Sequence, residues 1–142
     1  MVAGYSGTPL PKKLGIREGS RVGYRGAPKG FAATLGPLPL GAKLAPSRPG
    51  RGDNILLLFA PDQRSLDEAL PDMLSRMGPE TALWICWPKK TSPLASDITG
   101  DTVRRTGLAA GVVDIKVCAI DEDWSGIKFV VRVENRPTGR KK

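Results

Sequence analysis

The stretch Ala82–Trp87, ALWICW, sets six apolar residues in a row and is followed by Pro88, Lys89 and Lys90. An apolar run without polar alternation is the pattern of a strand buried on both faces, although its periodicity alone also fits a buried helix segment. Pro88 has no N–H to give to a sheet ladder, so the strand is expected to stop there and deliver Lys89 and Lys90 to the rim. Asn54–Ala60, NILLLFA, is a second run of the same kind. Between the two, Leu66, Ala69, Leu70, Met73, Leu74 and Met77 recur at the spacing of one helical stripe within Ser65–Met77. Pro71 lies inside that stripe and predicts a kink, or a restart with Pro71 in the first turn. Strand, amphipathic helix and strand make a βαβ unit, hence a mostly parallel sheet covered by helices.

The flanking segments complete the sheet. In YSGTPLPKKLGIREG, Pro11 suits the first turn of a short helix and Gly15 its left-handed end, leaving Leu10, Leu14 and Ile16 as anchors of an ordered arm. Arg21–Tyr24 reads as a strand with Val22 and Tyr24 on one face. Ala27–Gly36 reads as a short helix with Phe31, Thr34 and Leu35 inward. Residues 37–53, dense in Pro and Gly, are expected to be a mobile excursion apart from a short edge strand at Ala42–Ala45. Asp97 or Thr99 caps a helix that runs to about Ala110 and is closed by Gly111. Asp114–Asp121 and Ile127–Val133 then form an antiparallel hairpin through Glu122–Gly126, with Lys128 and Arg132 opposite the apolar face. The predicted fold class is α/β: a three-layer Rossmann-like sandwich, mostly parallel, with a C-terminal antiparallel hairpin. A single domain is expected over residues 1–134, followed by a disordered basic tail at 135–142.

With 142 residues, 40% of them hydrophobic, the chain is long enough to bury roughly 70% of its unfolded surface in one core. It has no apolar segment of membrane-spanning length and no signal-peptide core, so a cytoplasmic location and no membrane contact are expected. Cys86 and Cys118 sit in separate apolar runs and read as core residues, without the spacing of a metal site. The net charge of +8 divides into +8 over residues 1–52, −3 over 53–133 and +3 over 134–142. Basic ends on a slightly acidic body could meet nucleic acid through counterion release, or could simply solubilise the chain.

YSGTPLPKKLGI, LWICWPKKTS, SDITGDTVRRTGLAAGVVD and KVCAIDEDWSGIKFVVR together resemble a family of short bacterial proteins of unknown function, common in actinobacteria. That resemblance covers most of the chain except 37–53 and the tail, and implies no activity. More distantly, the order of predicted elements, ending in a helix and a terminal hairpin, resembles the methyltransferase-like Rossmann fold. IREGSRVGYRGAPKG falls where those enzymes place a strand and a glycine-rich loop around S-adenosylmethionine, which would make Gly26 and Gly30 the cofactor contacts. Such loops carry an acid at the strand end and closely spaced glycines; here the stretch offers Tyr24, Arg25, Gly26 and, after a gap, Gly30. No Asp or Glu follows Ala42–Ala45 to hold a ribose. The resemblance implies the fold, and no cofactor is assigned.

Ligands of open α/β sheets bind beyond the carboxyl ends of strands, which singles out Lys89 and Lys90. Thr91, Ser92, Ser96 and Thr99 add hydroxyls, and the following helix adds N–H groups at its start, the ingredients of an anion site. The alternative is that both lysines are solvated or pair with Asp62 or Asp121. The chain has no histidine, which removes the usual general base and the Ser–His and Cys–His arrangements. Asp121, Glu122 and Asp123 could hold a cation or form a turn. Trp124 is expected to pack on the sheet edge, and Trp84 and Trp87 to face opposite layers. Tyr5 and Tyr24 have no evident partner. No catalytic residue and no metal site is predicted. The leading expectation is a non-enzymatic binding domain that takes an anionic ligand or a protein partner at Lys89, Lys90, Thr91, Ser92 and Thr99. The alternatives are a degenerate S-adenosylmethionine-dependent enzyme and nucleic-acid binding through the basic ends.

Overall fold

A computed structural model describes residues 8–50 and 52–132. In chain order the elements are α1 (Leu10–Lys13), β1 (Arg21–Arg25), α2 (Phe31–Leu35), β2 (Lys43–Pro46), β3 (Ile55–Phe59), α3 (Gln63–Ser75), β4 (Ala82–Pro88), α4 (Gly100–Ala110), β5 (Val112–Ala119) and β6 (Trp124–Val131). They build one six-stranded sheet in the order β2-β1-β3-β4-β6-β5. The first four strands are parallel, and β6 and β5 close the sheet antiparallel. The Rossmann-like sandwich expected from the sequence is the observed architecture.

The two apolar runs are neighbours at the sheet centre, with Ile55 opposite Ala82 and Phe59 opposite Cys86. Every residue of both strands is buried, which is why neither run alternates. Their side chains feed two cores. Leu56, Leu58, Leu83, Ile85 and Trp87 pack with Leu66, Leu70 and Met73 of α3 and Val103 of α4. On the other face Ile55, Leu57, Phe59, Trp84 and Cys86 pack with Leu14 and Ile16 of the arm and with Phe31 and Leu35 of α2. Trp84 and Trp87 therefore serve opposite layers, as their spacing predicts. α2 has five residues, too few for a helix to persist alone in water, so the burial of Phe31 and Leu35 holds it.

Of the kink or restart expected at Pro71, the restart does not occur: α3 passes through Pro71, which is exposed, so the carbonyl it leaves unbonded can be hydrated, while the buried stripe secures the helix. Three expectations need correction. Thr34 faces solvent, because Gly30 starts α2 late and only Phe31 and Leu35 point inward. The hairpin turn lies two to three residues earlier than expected, since Asp121 Oδ1 accepts the N–H groups of Asp123 and Trp124 at 2.8 and 2.9 Å and closes a tight turn there. Trp124 is not at an edge, because β6 lies between β4 and β5; its ring meets Phe59 edge-on at 5.3 Å.

The Pro/Gly-rich segment runs beside β1, tied by Lys43 N–H to Ser20 O and Ser47 N–H to Tyr24 O, both at 2.8 Å. Cys86 is buried and Cys118 half-buried on β5; both are free thiols. Tyr5, the tail at 135–142 and position 133 of the expected strand lie outside the described residues. No helix among the described residues is long and apolar enough to cross a membrane.

Candidate functional site

At the carboxyl end of β4 the chain enters a loop fastened on both sides. Lys89 N–H donates to Asp123 O at 2.8 Å, and the buried Ser92 hydroxyl donates to Asp123 Oδ1 at 2.8 Å, tying the loop to the β5–β6 turn. On the other side Ser96 Oγ donates to Pro61 O at 2.6 Å, and Asp97 Oδ1 accepts the Gln63 N–H at 3.0 Å, tying it to the start of α3. These bonds hold a platform from which Lys89, half-buried, and Lys90 and Thr91, exposed, face solvent. Neither lysine pairs with Asp62, Asp121 or any other carboxylate among the described residues.

Of the five residues singled out by sequence, the structure thus presents three outward and uses two internally. The Ser92 hydroxyl serves Asp123 and also accepts the Leu94 N–H at 3.0 Å. Thr99 caps α4 reciprocally with Thr102: Thr99 Oγ1 accepts from Thr102 N–H at 3.2 Å, and Thr102 Oγ1 accepts from Thr99 N–H at 3.0 Å. The neighbouring α3 start is capped by Asp62, whose carboxyl is held below its ordinary value chiefly by the Ser65 N–H. The cluster Asp121, Glu122 and Asp123 forms the hairpin turn, and no metal-ligating group of three stands out among the described residues.

The strand order bears on the second location that the sequence singles out, the loop after β1 with Gly26 and Gly30. From β1 the chain moves outward to β2 and then returns to the opposite side of β1 as β3, so the order reverses between β1 and β3. Crevices at such switch points are the usual ligand sites of open α/β sheets. At the carboxyl ends of β1 and β3 the backbones pack closely. A Cβ on Gly26, which has φ +73°, would lie 2.8 Å from the Phe59 carbonyl oxygen, so this glycine is needed for the close approach of β1 and β3. Phe31, Phe59 and Trp124 form an edge-to-face row at the same end, with centroids 5.0 and 5.3 Å apart. β2 ends in Pro46, followed by Ser47 and Arg48, without a carboxylate. Arg25 and Arg76 both bind Asp72, at 3.0 and 2.6 Å. Gly30 has a left-handed backbone as the residue before α2.

No protein-family model matches the chain, and neither does any curated protein. Among solved structures it is similar to a SAM-dependent methyltransferase from Aquifex aeolicus, at 17% identity and a TM-score of 0.61, over 85% of this chain and 87% of that one. It is also similar to a mutant of MtNAS, at 12% identity and a TM-score of 0.53, over 86% of this chain and 57% of that one. These likenesses establish a methyltransferase-like fold. At the β1–β3 switch point Gly26 serves strand packing, and residues 47–50 after β2 carry no carboxylate of the kind that holds a ribose in dinucleotide sites.

Proposed function

We propose that this chain is a non-catalytic α/β domain that binds an anionic ligand at the carboxyl end of β4 through Lys89, Lys90 and Thr91, with Ser92 and Thr99 holding the platform rather than touching the ligand. One observation carries the reading: two lysines without carboxylate partners project from a loop that is hydrogen-bonded to both neighbouring turns. A preordered loop loses little entropy on binding, and ammonium groups recognise phosphate or carboxylate as point charges. In Lys89→Ala/Lys90→Ala, stabilisation by nucleotides or sugar phosphates is expected to disappear while the unliganded melting temperature is kept. Unchanged stabilisation would overturn the assignment. An acidic protein partner at the same lysines is the form the reading takes if only macromolecules bind.

The methyltransferase-like fold favours a second reading, a degenerate S-adenosylmethionine-dependent enzyme using Gly26 and Gly30. It predicts stabilisation by millimolar S-adenosylmethionine that survives the double lysine substitution. Absence of any such stabilisation would remove it.

A further inference from the structure

At the opposite end of the sheet the arm crosses three adjacent strands. Trp84, Lys128 and Lys116 stand side by side on β4, β6 and β5 and share the face that the arm covers. The arm's carbonyls receive two of them: Trp84 Nε1 donates to Leu14 O at 3.1 Å and Lys116 Nζ to Lys13 O at 3.2 Å. Lys128 lies between these two and is treated differently. Its Nζ lies beside Gly15, 3.6 Å from where a Cβ would be, and it takes part in no hydrogen bond or ion pair among the described residues.

Lys128 also lines a cavity of about 470 Å³ at the amino ends of the parallel strands, bounded by Gly15, Arg17 and Ser20 of the arm and by Asn54 and Ala82. Burial, with Lys116 and Arg17 nearby, lowers the pKa of its ammonium. Lys128 is a half-buried cation beside Lys116 and Arg17 that makes no ion pair with Glu18 or Glu80, the two acids lining the same cavity, so its ammonium is left for an anion to meet. The volume lies within the range of small-molecule sites. Glu18 and Glu80 on the same wall can accept hydrogen bonds from ligand hydroxyls.

We infer that this cavity binds a small hydroxylated organic anion whose phosphate or carboxylate group sits against Lys128 and Arg17, at a site separate from the Lys89 rim. The arm stretch KLGIREG, which the rim does not use, then acquires a role as the wall of this site.

The test is an amide NMR titration of the full chain with inorganic phosphate, and with acetate to tell the two head groups apart. Saturable shifts at Gly15, Arg17, Gly19 and Lys128 are expected with at least one of them, weakened about tenfold or more in Lys128→Ala and retained in Lys89→Ala/Lys90→Ala. A second measurement needs no variant: acetic anhydride labelling of Lys128 should fall several-fold in the presence of the binding anion. No shifts at these residues with either anion, shifts insensitive to Lys128→Ala, or unprotected labelling would overturn the inference. Loss of the rim response alone would leave it standing, so the two sites fail independently.

Discussion

The indole nitrogen of Trp84 donates a hydrogen bond to the carbonyl oxygen of Leu14 at 3.1 Å, joining the central strand to the arm across 70 residues of sequence. Both residues are fully buried, so the bond satisfies a carbonyl that water cannot reach. Trp84→Phe removes the donor and part of the volume, and should cost about 1–3 kcal/mol. Denaturant unfolding measures the loss. Hydrogen exchange should localise it, with faster exchange of the Ile16 amide that bonds Pro11 O.

Gly107 of α4 lies over the ring of Phe129, where a Cβ would come 2.7 Å from Cζ. Helix propensity alone favours alanine there by about 1 kcal/mol. Phe129 is fully buried and cannot withdraw, so overpacking of about 1–3 kcal/mol outweighs the gain. Gly107→Ala is therefore expected to lower the melting temperature by several degrees, and a rise would contradict this packing.

Cys86 and Cys118 both stand opposite Gly126 on strands that flank β6, which puts their Cα atoms about 9–10 Å apart. That exceeds the roughly 7 Å that a disulfide can bridge. Burial raises the Cys86 thiol well above its ordinary value, and burial also raises Cys118. Ellman's reagent should find Cys86 unreactive and Cys118 slow in the native protein, and both reactive in denaturant. Oxidation should not produce an intramolecular disulfide by mass.

Lys128 titrates below the ordinary lysine value of 10.5 because of burial first, then Lys116 and Arg17. Between its lowered folded value and the unfolded value near 10.5, the unfolded chain binds more protons than the native one. The charge penalty is therefore present below the folded pKa and relieved as pH rises through that window, so this group's contribution to stability increases with pH there. Glu18 and Glu80 line the same cavity. An NMR titration of the Lys128 side chain should give a midpoint below 10.5 that moves up when the cavity holds phosphate or acetate.

The buried strands and the stripe of α3 were legible because unbroken apolar runs and a 3.6-residue period state burial locally. The β5–β6 boundaries were not, because one carboxylate, Asp121, sets the turn and a single residue leaves no periodic signal. Lys89 and Lys90 were legible as strand-end residues, yet the internal use of Ser92 depends on Asp123, 31 positions away. The reversal of strand order between β1 and β3 required the full topology, and the Lys128 cavity required contacts such as Lys116 to Lys13, 103 residues apart. Local spacing carries no record of either.

The most direct measurement is a thermal-shift screen of the full chain and of Lys89→Ala/Lys90→Ala against nucleotides, sugar phosphates, short acidic peptides and S-adenosylmethionine. A ligand at 100-fold its dissociation constant adds about 2.7 kcal/mol, a shift of several degrees for a domain of this size. Such a shift is expected for at least one phosphate-bearing or acidic compound, and is lost in the double variant. A shift from S-adenosylmethionine alone, undiminished by the substitutions, would contradict the assignment to Lys89 and Lys90.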